Sequence, residues 1–513
     1  MASREISPVA APPSTQEGGS IRLFRPLRDL ESDLQRIPAL WWVVGVAGSY
    51  LVFEAWILVR HVLWRDEAQL WLVARASGSL GELLSNMNYE NRPILWFLLI
   101  WPVARLTANP DAVKLLSWLA SAGVAVLVTR FLPLARIEQV VVLSGFLFLL
   151  GYSTMSTGYV VGTLLTLLWF LAFSRGSLAG QFVVAALMAS VHGLFLLLAA
   201  PLWALTTIAL LRQWRTIGAA RRWWAGGAAA ASAVVFAWSA WLVVPPVDYS
   251  YQTAHDVPWS EAPWRLIEYA SDAVRPPSFD VLTDSPTVRT LVWAAPLLAI
   301  VIVALLCGRI RLLAPITGLS LLVVNGVFWY GPFWWHWGVI VVALMLIVLM
   351  TRDIAGPTWF VTPLLWQTIA WWAVLAAQIL ALFGAPGDAL WGSQPLSGSK
   401  EAARVVTQYC PSGCAVITDD DVVATGVSAY LGGQSLYHVN SSRWASFTRW
   451  DPGLVAQRPP TWGLVQAALL EKGPGSIAVL SLLRTPPDGF DVLEEPIEAV
   501  LAEETFLVVR LAK

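Results

Sequence analysis

LWWVVGVAGSYLVFEAWILV, residues 40–59, is followed four residues later by WRDEAQLW, residues 64–71. The first stretch has the length of about 20 apolar residues that a helix needs to cross a hydrocarbon core. The second gathers an arginine, two acids and two tryptophans where that span would end. Similar apolar runs recur at residues 113–131, 139–152, 159–173, 194–211, 225–244, 291–307, 312–329, 337–350 and 359–383. Two further runs, 94–106 and 182–191, are shorter. Composition agrees with this pattern. The 513 residues are 57% hydrophobic and 13% charged, with mean hydropathy +0.62, about half the charge of a soluble domain. The 30 tryptophans suit membrane–water boundaries, where an indole ring is buried and its N–H stays wet. A net charge of −1 offers no field for a polyanion, so no nucleic-acid partner is expected. The chain reads as an α-helical polytopic membrane protein whose first partner is the lipid bilayer.

Lysine and arginine in short loops set the register, because they stay on the cytoplasmic side. With 94–106 lying at the surface and 182–191 crossing, one side receives the N-tail, Arg130, Arg136, Arg175, Arg212, Arg215, Arg221, Arg222, Arg309, Arg311 and Arg352. The opposite short loops, 153–158, the turn at His192 and 331–336, contain no Lys or Arg. This gives about 11 transmembrane helices, with the N-terminus inside and the C-terminus outside. Residues 1–38, polar and rich in Pro and Ser, are expected to be a disordered cytoplasmic tail. Residues 39–384 form the transmembrane domain, with external loops at 61–112 and 246–288. Residues 385–513 form a small extracytoplasmic α/β domain, with strand-like runs at 415–418, 476–480 and 506–511 and helix-like runs at 422–431 and 463–471. Of three cysteines, Cys307 falls in a span; Cys410 and Cys414 flank a short turn in the tail, as a local disulfide or as two thiols.

Polar groups beside spans are costly and call for a functional reading. Asp66 and Glu67 lie about one turn beyond the first span, with Glu90 and Arg92 further along the same loop. Tyr159, His192 and His336 reach the same side under a topology drawn from Lys and Arg alone. Singly, each suits a solvated cap, a packed histidine or an aromatic belt; their shared side favours a site. A carboxylate there can take a proton from an acceptor hydroxyl as a sugar leaves its phosphate, while Arg and His stabilise the departing phosphate. Alternatively, Asp66 and Glu67 hold Mg²⁺ or Mn²⁺, which prefer oxygen ligands. The sequence leaves base and metal ligand both open.

These residues resemble the type-C glycosyltransferases, membrane enzymes that use polyprenyl-phosphate sugars and include protein O-mannosyltransferases and lipid A aminoarabinose transferases. The chain is most similar to uncharacterised bacterial members. Their D-E-A-x-x-W-x-x-A-R stretch matches Asp66 to Arg75, and their E-G-H-P-x-L-W stretch is matched by Glu90-Asn91-Arg92-Pro93-Ile94-Leu95-Trp96. S-V-H-G-L appears as Ser190 to Leu194, and R-H-x-G as Trp335-His336-Trp337-Gly338. Arg92 stands where the pattern has His, and Trp335 where it has Arg. The resemblance covers about residues 40–350 and implies a type-C fold in a bacterial plasma membrane. It implies transfer from a polyprenyl-phosphate-linked sugar to an extracytoplasmic glycan, lipid or protein, with Asp66 as general base or metal-linked acid and Glu67 beside it. Arg92, His192, His336, Tyr159 and Glu90 would line the donor and acceptor sites. Two other classes compete. A transporter or lipid-carrier flippase predicts inverted repeats and midplane acids, whereas no repeat is visible and Glu54 is the acid deep in a span. A catalytically silent scaffold acting through its tail has no use for Asp66.

Overall fold

In a computed structural model of the chain, residues 25–249, 257–258, 260–274, 285–330, 334–355, 362–383, 394–410, 413–454 and 460–512 are described. The helices are α1 (Arg25–Gln35), α2 (Ala39–Arg60), α3 (Arg65–Ala76), α4 (Leu80–Asn86), α5 (Leu95–Leu106), α6 (Val113–Arg130) and α7 (Arg136–Ser144). After a π-turn (Leu147–Gly151) come α8 (Tyr152–Thr154), α9 (Tyr159–Ser174), α10 (Leu178–Val191), α11 (Gly193–Gln213) and α12 (Ala219–Val243). α13 (Ala262–Val274), α14 (Pro286–Leu306), α15 (Leu313–Asn325), α16 (Trp334–Ala355) and α17 (Thr362–Leu380) complete the bundle.

Among the described residues, eight helical segments are long and apolar enough to cross a membrane, and the pair Arg136–Ser144 with Leu147–Thr154, bent by 51°, adds a broken one. The protein is a multi-pass membrane protein. α9 and α10, also expected as crossings, are shorter apolar helices, as is α5. α16 is the axis of the bundle: every residue from Val339 to Met350 is buried, as expected of a helix that is apolar on all sides. At its end, Arg352 donates to both carboxylate oxygens of Glu138 on α7, each at 2.8 Å. Both side chains are buried, so the pair neutralises itself inside the bundle. Arg130 and Arg175 lie over the Phe131 ring and Arg311 over Phe173. Arginines assigned to one side by loop counting thus gather at one end of the fold.

Two segments differ from expectation. Residues 25–35, expected within a disordered tail, form α1, whose Glu31 accepts from the backbone N–H groups of Arg136 and Ile137. The second external loop carries α13, whose Tyr269, Ala270, Ala273 and Val274 are buried in the bundle core. Its polar composition concealed that apolar face.

The tail is an α/β domain built on one six-stranded sheet, order β3-β2-β1-β4-β6-β5. Its strands are β1 (Val416–Thr418), β2 (Leu436–His438), β3 (Arg443–Ala445), β4 (Ile477–Leu480), β5 (Phe490–Ile497) and β6 (Phe506–Leu511). β1 pairs in parallel with β2 and β4, and the other pairings are antiparallel. Side chains alternate between faces. Ile477, Val479, Phe506 and Val508 pack under α18 (Ser399–Tyr409) and α19 (Thr425–Tyr430). Ala478, Leu480, Leu507 and Val509 pack under α20 (Trp462–Lys472). Cys410 and Cys414 are joined by a disulfide.

Candidate functional site

α3 begins immediately after the first span, and its first turn decides where the two acids point. Glu67, at the third helical position, turns back to accept from the N–H of Trp64 at 3.1 Å, which satisfies one of the donors a helix start leaves open. The same oxygen meets His61 Nε2 at 2.8 Å, and the other accepts from the Ser156 N–H at 2.5 Å. Glu67 is therefore fully buried, and it ties the start of α3 to the loop before α9. Asp66 points elsewhere. Its carboxylate is about one-third exposed and lies 3.8 Å from Arg65 Nε and 3.9 Å from Arg92 Nη2. The acid with room for a substrate is Asp66.

Arg92 reaches this position from a tight turn. Asn91 has φ +50°, a left-handed conformation that Asn tolerates better than most residues. On its other side Glu90 turns inward and accepts from Gln69 Nε2 at 2.6 Å. Burial pushes the Glu90 carboxyl up to about 7, against the Gln69 hydrogen bond and the Arg92 charge that pull it down.

The remaining expected residues line the wall behind this mouth. The Tyr159 ring lies 4.6 Å from His192 and stacks on Tyr152 at 4.8 Å. Tyr152 donates its hydroxyl hydrogen to the Trp335 carbonyl at 2.9 Å. Trp335 in turn contacts Trp64 and His336. Arg92 and His336 act electrostatically on His192. His192 Nδ1 accepts from the Leu194 N–H at 3.2 Å and so caps α11. Gly158, at φ +92°, brings the chain against Trp96, where an added Cβ would sit 3.3 Å from the indole. Asp66, Arg92, His192, Tyr159 and His336 thus form one constellation, with Glu90 at its edge. His192, Tyr159 and His336 are buried, while Asp66 and Arg92 are part exposed.

The tail closes one flank. The Arg65 N–H donates to Glu504 Oε1 at 2.8 Å, and the Arg65 guanidinium meets Glu503 at 3.0 Å. Burial alone would lower Arg65, but Asp66, Glu503, Glu504 and Asp420 around it raise it above its ordinary value. Gln69 forms a second clasp: its Oε1 accepts from the Thr448 N–H at 2.8 Å, and its Nε2 donates to the Thr448 carbonyl at 2.7 Å. Further along, Tyr430 Oη accepts from the Leu63 N–H, and Ser399 Oγ donates to the Leu63 carbonyl. Sequence reasoning assigned no role to His61, Ser156 or Glu504. Gln69 has one local signal in the sequence: three residues after Asp66, it falls on the same face of a helix.

The donor set does not fit a divalent cation at Asp66 and Glu67. Glu67 is engaged by N–H donors and a histidine, and Asp66 is flanked by two guanidiniums. Among the described residues, no group of three or more His, Cys, Asp or Glu gathers at ligand spacing.

No protein-family model matches the chain, and no curated protein matches it by sequence. By structure the chain is similar to ArnT from Cupriavidus metallidurans, as seen in its crystal structure bound to undecaprenyl phosphate. The TM-score is 0.52 at 12% identity, over 92% of this chain and 98% of ArnT. The fold is ArnT-like. This is the architecture that the type-C resemblance implied, and its extent takes in bundle and tail together.

Proposed function

We propose that the protein is a glycosyltransferase of a bacterial plasma membrane that moves a sugar from a polyprenyl-phosphate donor to an acceptor outside the cytoplasm. The observation that carries this reading is the part-exposed Asp66–Arg92 pair at the mouth of a buried aromatic and histidine wall. The ArnT-like fold supports it, since ArnT was crystallised with undecaprenyl phosphate. The N-terminus would be cytoplasmic and the tail extracytoplasmic.

In this scheme Asp66 takes the proton of the acceptor hydroxyl. The hydroxyl oxygen forms a bond to the anomeric carbon while the bond from that carbon to the phosphate oxygen breaks. The lipid phosphate leaves with the electron pair, and the Arg92 guanidinium neutralises it, with His192 and His336 behind. Glu67 is a positioning residue: with its carboxylate held by Ser156, Trp64 and His61, it fixes the turn from which Asp66 projects. Tyr159 orients His192 through its ring. Glu90 holds Gln69, and so the position of Arg92, from the side.

The test is release of lipid phosphate from labelled polyprenyl-phosphate sugars by purified protein, offered a panel of glycan, lipid and peptide acceptors. Asp66→Asn is expected to lower turnover by at least about 10²-fold, the usual contribution of a positioned base. Equal turnover by Asp66→Asn, or none by folded wild-type protein across the panel, overturns the proposal.

A further inference from the structure

At the arginine-rich end, away from the Asp66 mouth, α11 and α15 do not close on each other. Ala204, Ala209 and Ala314 leave a crevice between Pro201 on α11 and Thr317 on α15, walled by Leu205, Ile208, Ile310 and Leu313. Its volume is about 420 Å³, within the range of small-ligand sites. Pro201 lies inside α11, where it removes a backbone hydrogen bond, and the missing side-chain volume lies within the next three turns. Ala204 and Ile208 are exposed, so the crevice opens sideways where the helices would face lipid.

Two cations stand at one end of it. Arg212 closes the last turn of α11, and Arg311 lies in the 3-10 turn before α15; both line the crevice, with Gln213 between chain and solvent. Neither forms an ion pair with a carboxylate among the described residues; Asp353 is within electrostatic range of Arg311 without pairing, and Phe173 lies under the Arg311 guanidinium. An apolar slot capped by two guanidiniums outside any ion pair among the described residues, at a membrane boundary, is complementary to a molecule with an apolar chain and an anionic head. Basic pockets between membrane helices on the positively charged side recognise anionic lipid head groups in this way. A zwitterionic lipid would bring a choline or ethanolamine cation against the same two arginines.

We propose that this crevice is a binding site for an anionic two-chain phospholipid, one acyl chain lying along Ala204, Ile208 and Ala314 and the phosphate meeting Arg212 and Arg311. The site is separate from the Asp66 constellation and does not depend on the transferase reading.

Native mass spectrometry of the full chain, released from micelles holding equal amounts of dioleoyl phosphatidylglycerol and dioleoyl phosphatidylcholine, tests it. Wild-type protein is expected to retain phosphatidylglycerol in preference. Arg212→Ala with Arg311→Ala should lower that preference by about fivefold for each arginine removed. Ala204→Phe, a lipid-exposed change that fills the slot and leaves the charge alone, should lower total retention of either lipid by one molecule per chain. Circular dichroism of each variant separates loss of the site from loss of the fold. Equal retention of both lipids by wild type, or an unchanged preference in the folded double variant, overturns the proposal. So does an equimolar polyprenyl phosphate displacing phosphatidylglycerol completely, since a single-chain occupant would then own the crevice.

Discussion

Replacing Gln69 with leucine keeps the apolar volume of α3 and removes three hydrogen bonds at once. The two bonds to Thr448 are the tail's clasp on the helix bearing Asp66, and the third holds Glu90. Thr448 is buried, so in the docked state of Gln69→Leu its N–H and C=O would both lack a partner, as would one oxygen of Glu90. At about 1–3 kcal/mol for each of the three stranded groups, docking of the tail would lose about 3–9 kcal/mol. Hydrogen exchange reads this directly. The Thr448 amide should exchange at least about 10²-fold faster in Gln69→Leu, since about 1.4 kcal/mol corresponds to tenfold. Transfer activity should fall with it, because Glu90 and Arg92 share the turn that Gln69 steadies. Glu503→Gln is the internal comparison. It breaks only a half-exposed ion pair with Arg65, and such pairs are worth about 0–1 kcal/mol. If Gln69→Leu leaves Thr448 exchange within the range of Glu503→Gln, the clasp does not hold the tail and the reasoning fails.

Burial raises Glu90 to about 7 and Glu504 to about 8. Both folded values lie above the ordinary carboxyl value of 4.5, so their stabilisation is complete in acid and is lost as pH rises through 7 and 8. The thermal midpoint should therefore fall between pH 5 and pH 8, and Glu504→Gln should flatten the upper part of that decline; a midpoint that rises over this range contradicts the assignment. Gly338→Ala would drive its Cβ into the Leu147 side chain and to 2.5 Å from the Tyr152 ring. It should destabilise by about 1–3 kcal/mol and lower kcat by shifting the Tyr152–Tyr159–His192 stack, measurable by thermal denaturation beside turnover; wild-type values of both would refute the crowding.

The bundle was legible because bilayer spans announce themselves as long apolar runs, and α2, α6, α11, α14 and α16 lie where those runs stand. α13 was not, since a short amphipathic helix inside a polar loop has no such run. In the tail, β1, β4 and β6 are largely apolar strands and were visible; β2 and β3 are three residues each, and β5 at the sheet edge interrupts its apolar residues with Asp491, Glu494 and Glu495. Adjacent acids are equivalent in sequence, so nothing local separates Asp66 from Glu67. Only the folded turn does, by spending one on backbone N–H groups. The clasp was hidden for another reason: Gln69 meets Thr448, and Arg65 meets Glu504, across nearly the whole chain.

That last contact bears on how the protein is made. Arg65 N–H and Glu504 are 439 positions apart, so the loop bearing Asp66 emerges from the ribosome long before its partner exists. Contacts so distant in sequence form late. The bundle can be inserted into lipid while the mouth of the site is still unfinished, and a nascent chain cut short before residue 504 would be anchored yet incomplete. On the proposed reading, transfer would then wait on the turn between β5 and β6 that carries Glu504, which couples completion of the tail sheet to assembly of the site.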